Sequence, residues 1–109
     1  MEQLNRVELR GIVGSVRESK VGDRMITRLT VATNFTYKDS EGCVVIETTW
    51  HTVSTWSDAP LGIQKGDSVE VIGRIRNQRY MNAAGEDCTC VEIFARKVGK
   101  LDKRPKFEE

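Results

Sequence analysis

Apolar and polar residues alternate over five stretches of this sequence, with the period of two that is typical of β-strands. The stretches are rich in β-branched residues, and short segments with glycine, serine, asparagine or aspartate separate them. They cover residues 5–17, 25–37, 47–56, 68–80 and 87–98. The pattern therefore predicts an all-β protein.

Two of the separating segments are polar and contain a glycine, as the loops of β-hairpins do. They are residues 38–42 and 81–86, so we expect strand two to pair antiparallel with strand three, and strand four with strand five. Strand one carries Gly11 and Gly14, and strand four carries Gly73, at points where a strand would bend or bulge. A small closed barrel requires bends of this kind.

The segment between the third and fourth strands lacks a strand pattern. Asp58 and the serine before it can cap a helix, and Pro60 suits the first turn of one. Gly62 and Gly66 would limit such a helix to a turn or two. The sequence thus predicts one short helix between strands three and four.

This order of elements favours the OB-fold, a five-stranded Greek-key barrel. A β-sandwich would ordinarily need more strands. The chain of 109 residues has room for one domain, to which we assign residues 1–101. We expect residues 102–109 to form a short charged tail without fixed structure.

Both tryptophans lie on the third predicted strand. Side chains alternate between the two faces of a strand, so Trp50 and Trp56 share a face on which only Thr52 and Ser54 stand between them. Two large flat rings on one face could form a platform for planar groups, or they could fill a core. This strand alone leaves both interpretations open.

Little of the chemistry that enzymes use is present. The chain has one histidine, His51, and lacks a glycine-rich phosphate loop and a nucleophile elbow. We expect its three cysteines to be reduced thiols, because their number is odd and no secretion signal precedes them. They are Cys43, Cys88 and Cys90. With His51 they would make four nominal zinc ligands, but the usual CxxC pair is missing, so we predict no metal site. Since the motifs of enzymes are also missing, we predict neither catalysis nor a cofactor.

The overall charge is uninformative. A net charge of +1 excludes no partner, because 17 basic and 16 acidic side chains can still be sorted onto different faces. No apolar stretch is long enough for a signal peptide or a membrane span. We therefore expect a cytoplasmic protein that does not bind membranes.

Aromatic residues and cations alternate near the ends of the predicted strands. The aromatic residues are Tyr37, Trp50, Trp56 and Tyr80, and the nearby cations are Lys38, Arg74, Arg76 and Arg79. Sequence-tolerant binding of a single-stranded nucleic acid needs this combination, because every base has a flat face to stack and every phosphate needs a counter-charge. We expect the rings to converge along one cationic channel outside the barrel. Nothing in these residues separates DNA from RNA.

The chain resembles the bacterial and mitochondrial single-stranded DNA-binding proteins from about residue 5 to residue 101. The resemblance is carried by Asn5-Arg6-Val7 with the two following glycines, by residues 29–34, by the T-x-W-H segment within residues 47–53, by residues 65–76 and by Gly85-Glu86-Asp87. The T-x-W-H segment is quite specific in combination with residues 65–76, which match the pattern K-G-[DS]-x-V-x-[VI]-x-G-[RK]-[IL].

The resemblance implies roles for individual residues. In that family four aromatic positions stack on DNA bases, and they match Tyr37, Trp50, Trp56 and Tyr80. The matching basic positions are Arg6, Lys38, Arg76 and Arg79. The implied protein is an OB-fold homotetramer, or a dimer, that binds and protects single-stranded DNA without sequence specificity in replication, recombination and repair, in the nucleoid of a bacterial cytoplasm.

Two features depart from the family pattern. The family's helix between strands three and four is longer and free of proline. Its members usually continue into a long tail whose acidic tip recruits repair proteins, whereas this sequence ends with Lys103-Arg104-Pro105-Lys106-Phe107-Glu108-Glu109. Either this sequence is truncated or the protein is a tailless relative, and in the second case we expect no such recruitment. An alternative hypothesis is therefore a tailless or primosome-type accessory protein that acts mainly through protein–protein contacts.

Overall fold

The computed structural model describes residues 2–101, which form five strands and no helix. The strands are β1 (Val7–Val21), β2 (Arg24–Lys38), β3 (Val44–Ser57), β4 (Ser68–Met81) and β5 (Asp87–Lys100). All five predicted strands are confirmed, and each ends later than the alternation indicated. Within the described part of the chain, no helix is long and apolar enough to cross a membrane. The predicted tail, residues 102–109, lies outside the described residues.

The strands close into a barrel in the order β1-β2-β3-β5-β4. β1 joins the two ends of the sheet, because its first half pairs with β4 and its second half with β2, in both cases antiparallel. β2 pairs with β3, and β4 with β5, as the predicted hairpins. β3 and β5 are parallel and, among the described residues, pair only at Val53–Ile93 and Ser54–Phe94. This is the predicted five-stranded Greek-key barrel.

Glycines stand where the strands bulge. The register of β1 against β2 shifts at Gly14, not at Gly11, and the register of β4 against β5 shifts beside Gly73. A Cβ at Gly73 would collide with the carbonyl oxygen of Phe94 on the neighbouring strand. The bend predicted in strand four therefore depends on a close approach of two backbones that only glycine permits.

The apolar residues that alternate along the strands fill the interior of the barrel. Leu29 of β2 pairs with Val53 of β3, and both side chains are almost completely buried. The remaining members of the core cluster are Val13, Val31, Ile63, Val69, Val71, Ile93 and Ala95. Each fully buried aliphatic side chain contributes about 1.5–3 kcal/mol relative to its exposed form. None of the tryptophans or tyrosines belongs to this cluster.

The prediction of a short helix between β3 and β4 is wrong, because this segment is an irregular loop. Gly62 and Gly66 adopt positive φ angles of 74° and 93°, which end any helical turn. The loop places the buried side chain of Ile63 in the core cluster. Backbone N–H groups of the loop form hydrogen bonds outside a helix. The Gly66 N–H donates to the Val13 carbonyl at 2.8 Å, and the Gln64 N–H donates to the Asp67 carboxylate at 2.8 Å.

Candidate nucleic-acid interface

Each hairpin continues beyond the barrel as a two-stranded ribbon. β2 leaves its ladder with β1 at Ala32 but stays paired with β3 up to the hairpin loop. β4 leaves β1 at Gly73 and stays paired with β5 in the same way. We call residues 33–38 and 44–49 the β2–β3 ribbon, and residues 76–81 and 87–92 the β4–β5 ribbon.

A cleft of about 370 Å³ lies between β3 and β5. Its walls include Trp50, His51 and Thr52 of β3 and Val91, Glu92 and Ile93 of β5. The cleft opens because these two strands pair at only two positions of the described chain, so their remaining edges diverge. Strand edges that are not paired offer backbone N–H and C=O groups to a ligand.

Trp50 lies at this cleft and is 60% exposed, so it does not fill the core. Its cross-strand partner on β2 is the small residue Ala32, and its six-membered ring reaches as far as Gly14 of β1. A Cβ at Gly14 would collide with ring carbon Cζ3. The bulge glycine thus provides the space in which the indole lies on the outside of the sheet.

Trp56 is partly buried at the far end of β3. The guanidinium of Arg24 lies 5.8 Å from the centre of its ring. Trp50 and Trp56 share a face, as predicted, but six residues of strand separate them by about 20 Å. The two indoles therefore cannot stack on the same base, although they could contact bases several nucleotides apart.

Tyr37 lies on the β2–β3 ribbon and is 43% exposed. Paired residues of an antiparallel ladder share a face. Tyr37 pairs with Val45, whereas Trp50 pairs with Ala32, so the phenol and the indole lie on opposite faces of this ladder. The expectation of one channel for all four rings is therefore corrected: the aromatic side chains occupy both faces of the hairpin.

Phe35 is an exposed aromatic residue that the sequence analysis missed. It shares the face of Tyr37, and the centres of the two rings are 6.1 Å apart with an angle of 31° between their planes. The alternation of strand two could have identified Phe35, since residues two apart on a strand lie on the same face and Tyr37 is two residues further along.

Tyr80 lies on the β4–β5 ribbon and is 49% exposed. Its register partner is Cys88, which raises the pKa of the phenol above its ordinary value of 10.0, first through charge repulsion and then through a hydrogen bond. The phenol is therefore neutral at physiological pH and adds no negative charge to this surface. Arg76 shares its face, whereas Arg79 projects to the opposite face and lies 3.7 Å from Asp87.

Arg76 is held where the β4–β5 ribbon joins the barrel. Its Nε donates to the buried Glu92 carboxylate at 2.9 Å, and the Ser54 hydroxyl donates to the other carboxylate oxygen at 3.0 Å. The guanidinium also lies 4.2 Å from the centre of the Phe94 ring, and that of Arg74 lies 5.0 Å from it. The charge of Arg76 is thus largely compensated by Glu92. Arg76 therefore has a structural role in addition to any contact with phosphate.

Arg6 and Arg74, both predicted phosphate contacts, line a groove of about 250 Å³ together with Arg96. Phe94 forms another part of its wall. Arg6 lies 2.6 Å from Glu8, but both side chains are half exposed, so this ion pair is weak. Arg96 was not predicted, because it is the extra residue of a bulge in β5, opposite Ile72 and Gly73, and that bulge depends on the barrel register.

The segment that carries Arg6 is fixed by a side-chain clamp. The Asn5 amide donates to the Ile75 carbonyl at 2.7 Å, and the Ile75 N–H donates to the Asn5 side-chain oxygen at 2.9 Å. The segment before β1 therefore joins the edge of β4 and holds Arg6 near the groove.

Lys38 is exposed at the end of β2, and no ion pair found among the described residues involves it. Its charge is accordingly available to a ligand at the tip of the β2–β3 ribbon.

The cysteines and the histidine do not form one cluster. The thiols are free, with Cys88 partly buried and Cys43 and Cys90 exposed. His51 is partly buried and shares a hydrogen bond of 2.9 Å with the Thr33 hydroxyl. Across residues 2–101, no group of three or more histidine, cysteine or acidic side chains could hold a metal ion.

Comparison with known sequences finds one family. The sequence model described as "Single-strand binding protein family" matches residues 4–101. Two curated relatives, the single-stranded DNA-binding proteins of Neisseria meningitidis serogroups A and B, are each 31% identical over 108 residues, a match that covers 93% of this chain and 62% of the relative. The chain thus spans 62% of the length of these relatives.

Solved structures share the fold. The Plasmodium falciparum SSB in complex with ssDNA aligns with a TM-score of 0.80 at 20% identity, over 94% of this chain and 98% of that one. A deletion mutant of the single-stranded DNA-binding protein from Thermus aquaticus aligns with a TM-score of 0.77 at 21% identity, over 93% of this chain and 52% of that one. These likenesses establish the OB-type barrel.

Proposed function

This chain belongs to the single-strand binding protein family, and from that premise we propose that it binds and protects single-stranded DNA without sequence specificity. The observation that supports this proposal best is the set of exposed rings on and beside the two ribbons. Tyr37, Trp50 and Tyr80 stay 43%, 60% and 49% exposed although the core is complete without them. We further propose that the protein serves in replication, recombination and repair in the cytoplasm, and that it is not an enzyme.

Stacking and charge would supply the affinity together. Each base stacked on an aromatic side chain contributes about 1–3 kcal/mol, and every base has a face to offer. The cations that could reach phosphates lie at the ribbon tip, Lys38, and in the groove, Arg6, Arg74 and Arg96. Because none of these contacts reads a base edge, binding would tolerate any sequence, and RNA would compete.

The placement of the rings favours a bent path for the strand. A ligand that contacts both Tyr37 and Trp50 must pass around an edge of the β2–β3 ribbon, because the two rings lie on opposite faces. A flexible single strand can follow such a path, whereas a stiff duplex with a persistence length of about 150 base pairs cannot. The proposed ligand is therefore single-stranded.

We also propose that the protein assembles as a homotetramer, with a dimer as the smaller alternative. Residues 7–11 of β1 pair with β4, while the ladder with β2 begins only at Ile12. This leaves one edge of the first half of β1 available to a second copy.

A titration with dT oligomers of increasing length, followed by fluorescence and light scattering, tests the proposal. We expect saturable binding, a tetramer mass, and a site that occludes many nucleotides per assembly. Duplex DNA of equal length is the control and should bind far more weakly. Equal affinity for both would contradict the proposal, and the absence of any binding would favour the alternative of an accessory protein that acts through protein contacts.

A further inference from the structure

Phe35 is 64% exposed on a ribbon that has no third strand. A phenyl ring has no polar atom that could interact with water, so its exposure is unfavourable unless a ligand covers it. Its cross-strand partner is Glu47, whose two methylene groups offer little apolar surface to cover the ring. The ring contact it does make is with Tyr37, at 6.1 Å between ring centres.

We propose that Phe35 and Tyr37 form one base-binding step on the face of the β2–β3 ribbon opposite Trp50, with Phe35 as an additional stacking residue. The inference rests on the proposed function and extends it to a subsite for unpaired bases. Residues two apart on a strand are separated by about 6.6 Å, which is twice the spacing of about 3.4 Å per nucleotide along one strand of duplex DNA. Two successive bases can therefore meet the two rings only if they are unstacked from each other.

Charges around the step set the side on which the backbone of the strand would lie. Glu47 shares the face of Phe35 because the two are register partners, whereas Lys38 follows Tyr37 at the tip of the ribbon and projects to the opposite face. Phosphates would therefore lie away from the Glu47 carboxylate and towards the tip of the ribbon, where the strand could pass from the rings to Lys38. A single strand fits this step better than a second protein copy, since the apolar patch consists of two rings and a half-buried valine, Val45, and is far smaller than a stable subunit contact requires.

Four variants of the full chain test the step: Phe35→Ala, Phe35→Leu, Phe35→Tyr and, as a matched control, Val21→Ala. Val21 is 51% exposed at the β1–β2 hairpin, so its replacement also removes an exposed apolar side chain, but away from both ribbons. The readouts are affinity for poly(dT) over a series of salt concentrations, molecular mass by light scattering, and thermal unfolding.

We expect Phe35→Ala to weaken binding about fivefold or more, Phe35→Leu to weaken it less, and Phe35→Tyr to stay within about twofold of the parent. The salt dependence should keep its slope in all of them, because no charge is removed. Val21→Ala should bind like the parent. Mass and unfolding temperature should not change, since Phe35 contributes little to the core.

Two outcomes would overturn this inference alone. In the first, the parent binds poly(dT) and both Phe35→Ala and Phe35→Leu bind within twofold of it. In the second, Phe35→Ala lowers the molecular mass, which would make Phe35 a subunit contact. A parent protein that does not bind poly(dT) would contradict the proposed function itself, and the subsite with it.

Discussion

The two ribbons have the same architecture but different chemistry. The β2–β3 ribbon carries uncharged rings on one face, Phe35 and Tyr37, and leads into Trp50 on the other, with one cation at its tip. The β4–β5 ribbon carries Tyr80 but joins the barrel through a buried salt bridge between Arg76 and Glu92. We expect that an exposed ring of the first ribbon can be removed without disturbing the fold, whereas Arg76 also stabilises the fold through Glu92. Exposed aromatic and basic residues in one candidate site therefore need not have equivalent roles.

The largest expected effect is on stability and lies at the base of the β4–β5 ribbon. Arg76→Ala would leave the Glu92 carboxylate, whose side chain is 5% exposed, without its cation. We expect a loss of roughly 3 kcal/mol in the free energy of unfolding, the low end for a broken buried pair because Arg76 itself is partly exposed. Urea unfolding measures it.

A double-mutant cycle provides the control. Arg76→Ala combined with Glu92→Gln should recover much of the lost stability, because no uncompensated charge remains. Strict additivity of the two single changes would contradict the structural role of this pair.

The next effect is on binding and lies beside the β2–β3 ribbon. Trp50→Ala should weaken binding of dT oligomers by about 1–3 kcal/mol, because a stacking surface is lost. Unfolding should change little, since the indole is exposed. Trp50→Phe keeps a smaller ring and should lose less. A Trp50→Ala protein that is folded and binds like the parent would remove Trp50 from the interface.

A smaller effect is expected from Gly14→Ala. The new methyl group would displace the Trp50 ring, and the ring can move at low cost because it is the far end of a flexible side chain. We expect weaker binding than in the parent but stronger than in Trp50→Ala, with nearly unchanged stability. The double variant should bind like Trp50→Ala alone, since Gly14 acts through the indole. A further loss in the double variant would show that Gly14 matters for another reason.

The smallest effects concern single charges. Binding of a single strand weakens with salt, with a log–log slope of about −0.7 per neutralised phosphate. Lys38→Gln and Arg74→Gln should each make the slope shallower by roughly that amount in salt titrations. Arg79→Gln should change it less, because Arg79 faces away from Tyr80 and lies near Asp87. Equal changes for all three would mean that the opposite face also carries the strand.

Alternation along the sequence was enough to predict the strands and some of the faces. It places Trp50 with Trp56 on one face of strand three, because that relation follows from a period of two within one strand. It also predicted the OB-fold from the order of the elements. These features depend on local geometry, which the residue types express directly.

Relations between strands were harder to predict. The opposite faces of Tyr37 and Trp50 depend on the exact register of the hairpin, and the burial of Glu92 depends on β5 lying between β3 and β4. The absent helix has a different cause. The capping residues are present, but Gly62 and Gly66 adopt positive φ angles and the loop carries Ile63 into the core, so tertiary packing outweighs the local helix signal.

The central claim is that exposed rings on and beside the ribbons bind single-stranded DNA. The most direct measurement of it uses the variant Trp56→Phe, whose sole tryptophan is Trp50. Its fluorescence is followed as poly(dT) is added, with duplex DNA as the control. The account predicts saturable quenching of the indole by the single strand and little response to the duplex. An unchanged Trp50 signal while light scattering shows bound poly(dT) would contradict it, because the strand would then lie elsewhere on the protein.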